Sequence, residues 1–275
     1  MPTVLPPGAS RLRAWLRACG LPNTLPHLLP TTCLLCGQWQ GQPLCGVCVQ
    51  RWQRPVTRCA RCAIALPQPT RDAVCPACED HSPEFDRAIA ALDYEDPWRS
   101  VLSRFKFQEA TALAAPLATL LWQALSQRPH RVDLIVPVPL SRTRLSERGY
   151  NQTWLLAQQL SRRLGCPARH DVLQRTRHTE RLMSLDAEAR RAQIIDAFDV
   201  PSAALPHLRR RHIAVVDDVL TTGATLNEVA HTLRAAGASS VSAWVLARTP
   251  APPDSRRRAQ SGAGVSEVVH SLSKR

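Results

Sequence analysis

After residue 86, strand-length apolar stretches alternate with stretches in which apolar residues recur at helical spacing. The strand-length stretches are residues 87–94, 132–136, 213–216 and 241–247. The helical pattern covers residues 97–107, 109–127, 152–164 and 226–236. The run from Ile213 to Val216 contains no polar residue, which is typical of a strand buried on both faces of a parallel sheet. The alternation predicts an α/β domain with a central, mostly parallel sheet over residues 81–249.

The two ends of the chain lack this pattern. Residues 1–32 are rich in proline and contain a short amphipathic piece around Trp15, which predicts a loosely attached lead-in helix. Residues 250–275 are rich in Pro, Ser, Arg and Gly, a composition that favours a disordered basic tail. The longest uncharged run, residues 110–127, contains Pro116 and other polar positions, so no membrane-spanning helix is expected. Arginines interrupt the first apolar stretch of the chain, whereas the apolar region of a secretory signal is uninterrupted. We therefore expect a cytoplasmic protein.

The chain is strongly basic, with a formal net charge of +13. Between Arg128 and Arg191 there are 13 arginines against 6 acidic residues, and Trp154 lies in the same span. Arginines that follow the phosphate backbone, with occasional aromatic stacking, are how many proteins hold single-stranded nucleic acid. The composition therefore indicates polyanionic partners, although surface arginines are often merely solvated.

Eight of the ten cysteines form four C-x-x-C pairs. These are Cys33 and Cys36, Cys45 and Cys48, Cys59 and Cys62, and Cys75 and Cys78. Two such pairs complete a tetrahedral zinc site with four thiolate ligands, so we expect two structural zinc ions in a double zinc ribbon over residues 33–80. If pairs that are neighbours along the chain combine, the first two pairs form one site and the last two form the other. Combination of alternate pairs stays open. A cytosolic context argues against disulfides.

The stretch HIAVVDDVLTTGAT, residues 212–225, carries the most specific chemistry. Asp217 and Asp218 stand where the buried strand is expected to end, and a loop rich in threonine follows them. In open α/β sheets, ligands bind at the carboxyl ends of strands, where loop amides meet a helix N-terminus. Gly223 lets the backbone approach a phosphate, whereas the acids suit sugar hydroxyls or a Mg²⁺ that bridges to phosphate oxygens. Together these features indicate a site for a phosphorylated ribose.

This stretch resembles the signature of the type I phosphoribosyltransferases, in which four apolar residues, two acids and two further residues precede T-T-G-x-T. The resemblance implies the type I phosphoribosyltransferase fold. It also implies that Asp217 and Asp218, the candidate catalytic residues, hold the ribose hydroxyls of phosphoribosyl pyrophosphate (PRPP), which binds with Mg²⁺. The 5′-phosphate is then expected on a loop made by Thr221, Thr222, Gly223, Ala224 and Thr225.

A second stretch widens the resemblance. The strand at 132–136 runs into V-P-V-P and a basic loop over residues 141–152 that contains R-G-Y-N-Q. Together with the cysteine pairs, the P-x-R…K-F segment and the ending L-A-R-T, this is similar to the ComF-type, or GntX-type, phosphoribosyltransferase-like proteins, over residues 33–249. In that fold the loop after this strand holds the pyrophosphate, and arginine forks suit phosphate oxygens. The resemblance therefore implies that PRPP also binds Lys106, Arg142, Arg144 and Arg148.

Residues 169–199 depart from the pattern of that family. Leu182 stands where a glutamine is expected, Gln193 replaces an asparagine, and Asp196 replaces the glycine that precedes Ala197 and Phe198. This segment covers the active site in the fold, so the departure bears on catalysis more than on PRPP binding.

Two hypotheses follow. The first is a PRPP-binding ComF-type protein linked to DNA uptake in natural transformation, with Mg²⁺-dependent phosphoribosyl transfer to a nitrogen nucleophile as its activity. No acceptor-specific residue and no obvious general base can be recognised in the sequence. The alternative is a non-catalytic protein on the same fold that binds single-stranded DNA or docks partners of the uptake machinery.

Overall fold

The computed structural model describes residues 31–67, 73–108, 110–176 and 195–251. The expected lead-in helix and basic tail fall almost wholly outside these ranges. Within the described part of the chain, no helix is both long enough and apolar enough to cross a membrane.

The cysteine-rich segment contains only short elements. Strands β1 (Thr31–Thr32) and β2 (Trp39–Gln40) pair in antiparallel fashion. Helix α1 (Gly46–Trp52) follows them, and helix α2 (Pro76–Asp80) lies near the end of the segment. Such short elements enclose little apolar core, so the folding free energy of this segment must come mainly from elsewhere.

The α/β part contains the remaining elements. Its strands are β3 (Arg87–Asp93), β4 (Leu134–Pro137), β5 (Gln174–Arg175), β6 (Phe198–Asp199), β7 (His212–Leu220) and β8 (Ser240–Arg248). Its helices are α3 (Trp98–Phe107), α4 (Ala114–Ser126), α5 (Arg142–Arg148), α6 (Gln152–Leu164) and α7 (Ala224–Ala235), with 3-10 turns at Thr111–Leu113 and Ser202–His207.

Four strands form a parallel sheet in the order β3-β8-β7-β4, while β5 and β6 form a separate antiparallel pair. Successive side chains of a strand point to opposite faces. In β7, Ile213 and Val215 accordingly pack with the core beneath α7, whereas Ala214 and Val216 pack with the core formed by α3, α4 and α6. The predicted α/β fold with a central parallel sheet is confirmed.

The central strand is longer than predicted. The pattern placed its end at Val216, but β7 stays paired with β8 as far as Leu220, which lies opposite Arg248. Its other neighbour, β4, ends at Pro137, opposite Val216. Asp217 and Asp218 thus lie inside the strand, not after it, and beyond the end of β4 they have a sheet neighbour on one side only.

The basic stretch after β4 also differs from the prediction of a loop, because it contains helix α5. The Ser141 hydroxyl accepts a hydrogen bond from the Arg144 amide at 3.3 Å and caps the first turn. Gly149 ends the helix with a left-handed φ of 76°. Ser141 and Gly149 are typical capping residues and could have been recognised in the sequence. The arginines between them favoured the interpretation as a basic loop instead.

Candidate functional site

The acid pair lies at the carboxyl end of the sheet. Asp218 is only 5% exposed, whereas Asp217 is half-buried. The Asp218 amide donates a hydrogen bond to Oδ1 of Asp217 at 2.8 Å, which fixes the two side chains relative to each other. Since neighbouring residues of a strand point to opposite faces, Asp218 turns toward helices α3 and α6.

Two side chains from those helices bind Asp218. Nζ of Lys106, in the last turn of α3, lies 2.8 Å from Oδ1 of Asp218. Nε2 of Gln152, the first residue of α6, donates to Oδ2 at 2.6 Å. Lys106, predicted as a ligand-binding residue, is therefore placed at the acid pair. The role of Gln152 was missed, although it belongs to the R-G-Y-N-Q motif.

Arg148 joins this network from helix α5. Its guanidinium donates to Oε1 of Gln152 and lies 5.0 Å from the centre of the Phe107 ring. The Tyr150 hydroxyl donates to the carbonyl of Phe105, so the end of α3 is tied to the chain that follows α5. Of the other predicted arginines, Arg144 is half-buried and Arg142 is exposed at the start of α5.

The threonine loop lies between β7 and α7. Gly223 has a left-handed φ of 87°, a backbone conformation that glycine adopts without strain, and α7 begins at the next residue. Thr221 and Thr222 are exposed, while Thr225 is half-buried in the first turn of α7. Amides at such a helix start suit an anion, because they lack partners in the preceding turn.

Arg175 is a second residue that sequence analysis missed. It lies on β5, with its guanidinium 5.4 Å from the centre of the Phe198 ring. Burial lowers its pKa, and the positive charge of Arg144 lowers it further, while the negative charge of Asp217 opposes this. Arg175 therefore adds a cation to the same site. It lies in the segment 169–199, where the departures from the family pattern give no signal for it.

The protonation of Asp217 is strongly altered by its surroundings. Burial raises its pKa to about 7, and the neighbouring charge of Asp218 acts in the same direction. For Lys106, burial favours the neutral amine, but Asp218 outweighs this and holds the pKa of Lys106 above its ordinary value. The site thus combines one carboxyl whose pKa is raised toward neutral pH with a lysine whose ammonium form is favoured.

The segment that departs from the family pattern is described only at its ends, so Leu182 and Gln193 lie outside the described residues. Asp196, which stands where a glycine is expected, has a left-handed φ of 55°. Its amide donates to Oε1 of Glu228 on α7 at 2.9 Å. The backbone conformation that favours glycine is thus retained, and aspartate tolerates it better than most residues do.

The C-x-x-C cysteines form two clusters, and each cluster combines two pairs that are neighbours along the chain. The first cluster contains Cys33, Cys36, Cys45 and Cys48, and the second contains Cys59, Cys62, Cys75 and Cys78. All four sulfurs of a cluster lie within 4.8 Å of one another. Zn–S bonds of about 2.3 Å in a tetrahedron place sulfurs about 3.8 Å apart. The separations of 3.9 Å for Cys36 and Cys45 and 3.6 Å for Cys62 and Cys75 match this, so both clusters fit a structural zinc ion in a double zinc ribbon.

Backbone amides support the thiolates that such an ion needs. The Cys48 amide donates to Sγ of Cys45, and the Cys75 amide donates to Sγ of Cys59, each at 3.3 Å. Hydrogen bonds from the Cys62 side chain and from the backbone amides of Cys62 and Cys75 outweigh the effect of burial and lower the pKa of Cys59 to about 4. The second cluster therefore favours a negative sulfur at neutral pH.

The second cluster also contacts the carboxyl end of the sheet. Arg58, which precedes Cys59, forms a 2.7 Å ion pair with Asp93 at the end of β3. Arg248, at the end of β8, donates to the carbonyl of Cys62 at 2.9 Å and to the carbonyl of Thr221 at 2.6 Å. One guanidinium thus links the cluster to the threonine loop.

Comparison with known proteins identifies similar chains. Residues 153–262 match the family described as the phosphoribosyl transferase domain. Competence protein F of Haemophilus influenzae is 36% identical over 210 residues, which cover 74% of this chain and 90% of that protein. DNA utilization protein YhgH of Escherichia coli strain K12 is 33% identical over 232 residues, 80% of this chain and 98% of that protein. A solved adenine phosphoribosyltransferase from Thermoanaerobacter pseudethanolicus is 18% identical, with a TM-score of 0.31, over 50% of this chain and 82% of that one.

Proposed function

Because the chain belongs to the ComF family of proteins with a phosphoribosyl transferase domain, we propose that it binds a phosphoribosyl ligand of the PRPP type at the carboxyl end of its sheet. The observation that supports this most directly is the proximity of two unlike subsites along β7. An acid pair suited to hydroxyls and a loop suited to phosphate are separated by only Val219 and Leu220.

Each part of the ligand has a complementary group in this proposal. Asp217 accepts hydrogen bonds from the ribose hydroxyls, and residues 221–225 hold the 5′-phosphate through amides and hydroxyls. The pyrophosphate lies against the guanidinium groups of Arg144, Arg148 and Arg175. Mg²⁺ accompanies PRPP on the oxygens of the ligand.

The reaction that such a ligand supports is displacement of pyrophosphate from the ribose by a nitrogen nucleophile. A carboxyl that titrates near neutral pH can accept the proton that the nucleophile loses, and burial brings Asp217 into that range. Asp217 is therefore our candidate for the general base that the sequence alone did not indicate.

The names of the relatives, Competence protein F and DNA utilization protein YhgH, support a cellular role in the uptake or use of DNA. We place the protein in the cytoplasm in this role, with incoming single-stranded DNA or the uptake machinery as its partner. The excess of arginine between residues 128 and 191 is consistent with a polyanionic partner.

Calorimetric titration of PRPP with Mg²⁺ tests the proposal. We expect wild-type protein to bind in the micromolar range, and Asp217→Ala and Thr222→Val each to weaken binding by roughly tenfold, since each loses a hydrogen bond to the ligand. Asp199→Ala, which removes an exposed acid of β6, is the matched control and should bind like wild type. Folded wild-type protein that binds an oligonucleotide but not PRPP would contradict the proposal.

A further inference from the structure

Both oxygens of the buried Asp218 carboxylate are bound by other side chains of the protein. The ammonium of Lys106 lies 2.8 Å from Oδ1, and the Gln152 amide donates to Oδ2 at 2.6 Å. Mg²⁺ would bind such an oxygen at about 2.0–2.1 Å and would keep several water molecules. To reach Asp218 the ion would have to displace the ammonium, whose side chain is only 20% exposed. Mg²⁺ therefore does not fit on Asp218.

Asp217 offers little to a metal ion by itself. Its Oδ1 already accepts the Asp218 amide at 2.8 Å. Among the described residues, the two cysteine clusters are the only groups of three or more Cys, His, Asp or Glu side chains close enough to share an ion. No third such side chain joins the acid pair, so a Mg²⁺ there would have to take its other ligands from water or from the bound molecule.

The negative charge of the acid pair is compensated by residues of the protein. Lys106 acts electrostatically on both acids, Arg148 acts on Asp218, and Arg175 acts on Asp217. These cations come from three separate elements, α3, α5 and β5. A divalent ion would add positive charge to an acid pair that already lies in the field of three cationic side chains.

The surroundings of Lys106 hold its ammonium in place. The preceding residue, Phe105, is completely buried, and its carbonyl accepts the Tyr150 hydroxyl. The following residue, Phe107, packs under the guanidinium of Arg148. An ammonium carries three donors, so Lys106 can bind Asp218 and still donate to a ribose hydroxyl beside Asp217.

We propose that Lys106 is the built-in cation of the acid pair, so that the site binds the ribose 5-phosphate half of its ligand without a divalent metal on the aspartates. This inference rests on the phosphoribosyl site proposed above and specifies its chemistry. Mg²⁺ is then needed only for the pyrophosphate half of PRPP, which carries the charges that the metal neutralises.

Ribose 5-phosphate, which lacks pyrophosphate, is the probe for a calorimetric test on zinc-loaded protein in buffer freed of Mg²⁺ by a chelating resin. We expect wild type to bind with the same affinity, within about twofold, with and without millimolar Mg²⁺. Lys106→Gln should lose roughly tenfold in affinity without Mg²⁺ and recover when Mg²⁺ is added, because the acids now lack a partner. Arg104→Gln removes an exposed charge from the same helix and should bind like wild type.

Wild-type binding that falls tenfold when Mg²⁺ is removed would overturn the inference.

Mn²⁺ titration followed by electron paramagnetic resonance tests the inference without any sugar ligand. We expect Lys106→Gln to gain one Mn²⁺ site that the double variant with Asp217→Asn lacks. An Mn²⁺ site in wild type that Asp217→Asn abolishes would also overturn the inference. Failure of ribose 5-phosphate to bind under every condition would instead defeat the proposed function, and the Mn²⁺ titration would still decide the role of Lys106.

Discussion

At the scale of single residues, adjacent acids acquire different roles through the alternation of a strand. Asp218 follows the face of Ala214 and Val216 and binds the side chains of Lys106 and Gln152. Asp217 follows the opposite face and receives the Asp218 amide as its hydrogen-bond donor. Asp218 is therefore held by other side chains, and Asp217 is the acid that the proposed ligand would contact.

The raised pKa of Asp217 makes stability depend on pH. Its folded pKa of about 7 exceeds its ordinary value of 3.8, so its contribution to stability is complete below the ordinary value and is lost as pH rises toward 7. We expect the free energy of unfolding of wild type, relative to Asp217→Asn, to fall by roughly 1 kcal/mol per pH unit between about pH 5 and 7. Urea unfolding across this range measures the difference. Asp199→Asn should follow the wild-type curve, and the prediction is wrong if Asp217→Asn does so too.

At the scale of elements, the sequence predicted those parts whose signals are local. The apolar run of β7, the threonine loop and the four C-x-x-C pairs each lie within a short stretch, and the structure bears out their positions. The contacts of Asp218 could not be predicted, because Lys106 and Gln152 come from helices far away in the chain and meet it only through packing. The extension of β7 depends likewise on the unequal lengths of its neighbours, β4 and β8.

Arg248, at the end of β8, connects the threonine loop to the second cysteine cluster. Its guanidinium donates to the carbonyls of Leu220, Thr221 and Cys62, at 3.0, 2.6 and 2.9 Å. We expect Arg248→Gln to lower the free energy of unfolding by about 2 kcal/mol, since these carbonyls lose a charged donor. Urea unfolding measures this loss, and hydrogen exchange should show faster exchange of the loop amides over residues 221–225.

Arg211→Gln provides the control for this prediction, because Arg211 is exposed beside the start of β7, at the opposite end of the sheet. The stabilising role of Arg248 is refuted if the two variants lose equal stability and the loop amides exchange at the wild-type rate in both.

At the scale of the whole molecule, the cysteine clusters and the sheet depend on each other. Chelation should release two zinc ions per chain and make the eight cluster thiols reactive, because the metal supplies the folding free energy of that segment. Loss of the Arg58–Asp93 ion pair and of the Cys62 contact should then also increase exchange in the threonine loop. Elemental analysis, thiol titration and hydrogen exchange measure these effects.

Cys166 lies outside both clusters, so Cys166→Ser should retain both zinc ions and the wild-type exchange rates. A zinc content below two per chain in folded wild-type protein would contradict the double zinc ribbon. Unchanged exchange of the loop after chelation would show that the cluster does not support the site.

The strand order β3-β8-β7-β4 has a consequence for synthesis of the chain. The first strand of the sheet pairs with the last one, so β3 has no place in the sheet until β8 has left the ribosome. The cysteine pairs emerge long before that and can take up metal while the sheet is still incomplete. A nascent chain therefore carries a metal-loaded cysteine segment beside an unpaired apolar strand, and the acid pair gains its sheet partner only after β8 has been made.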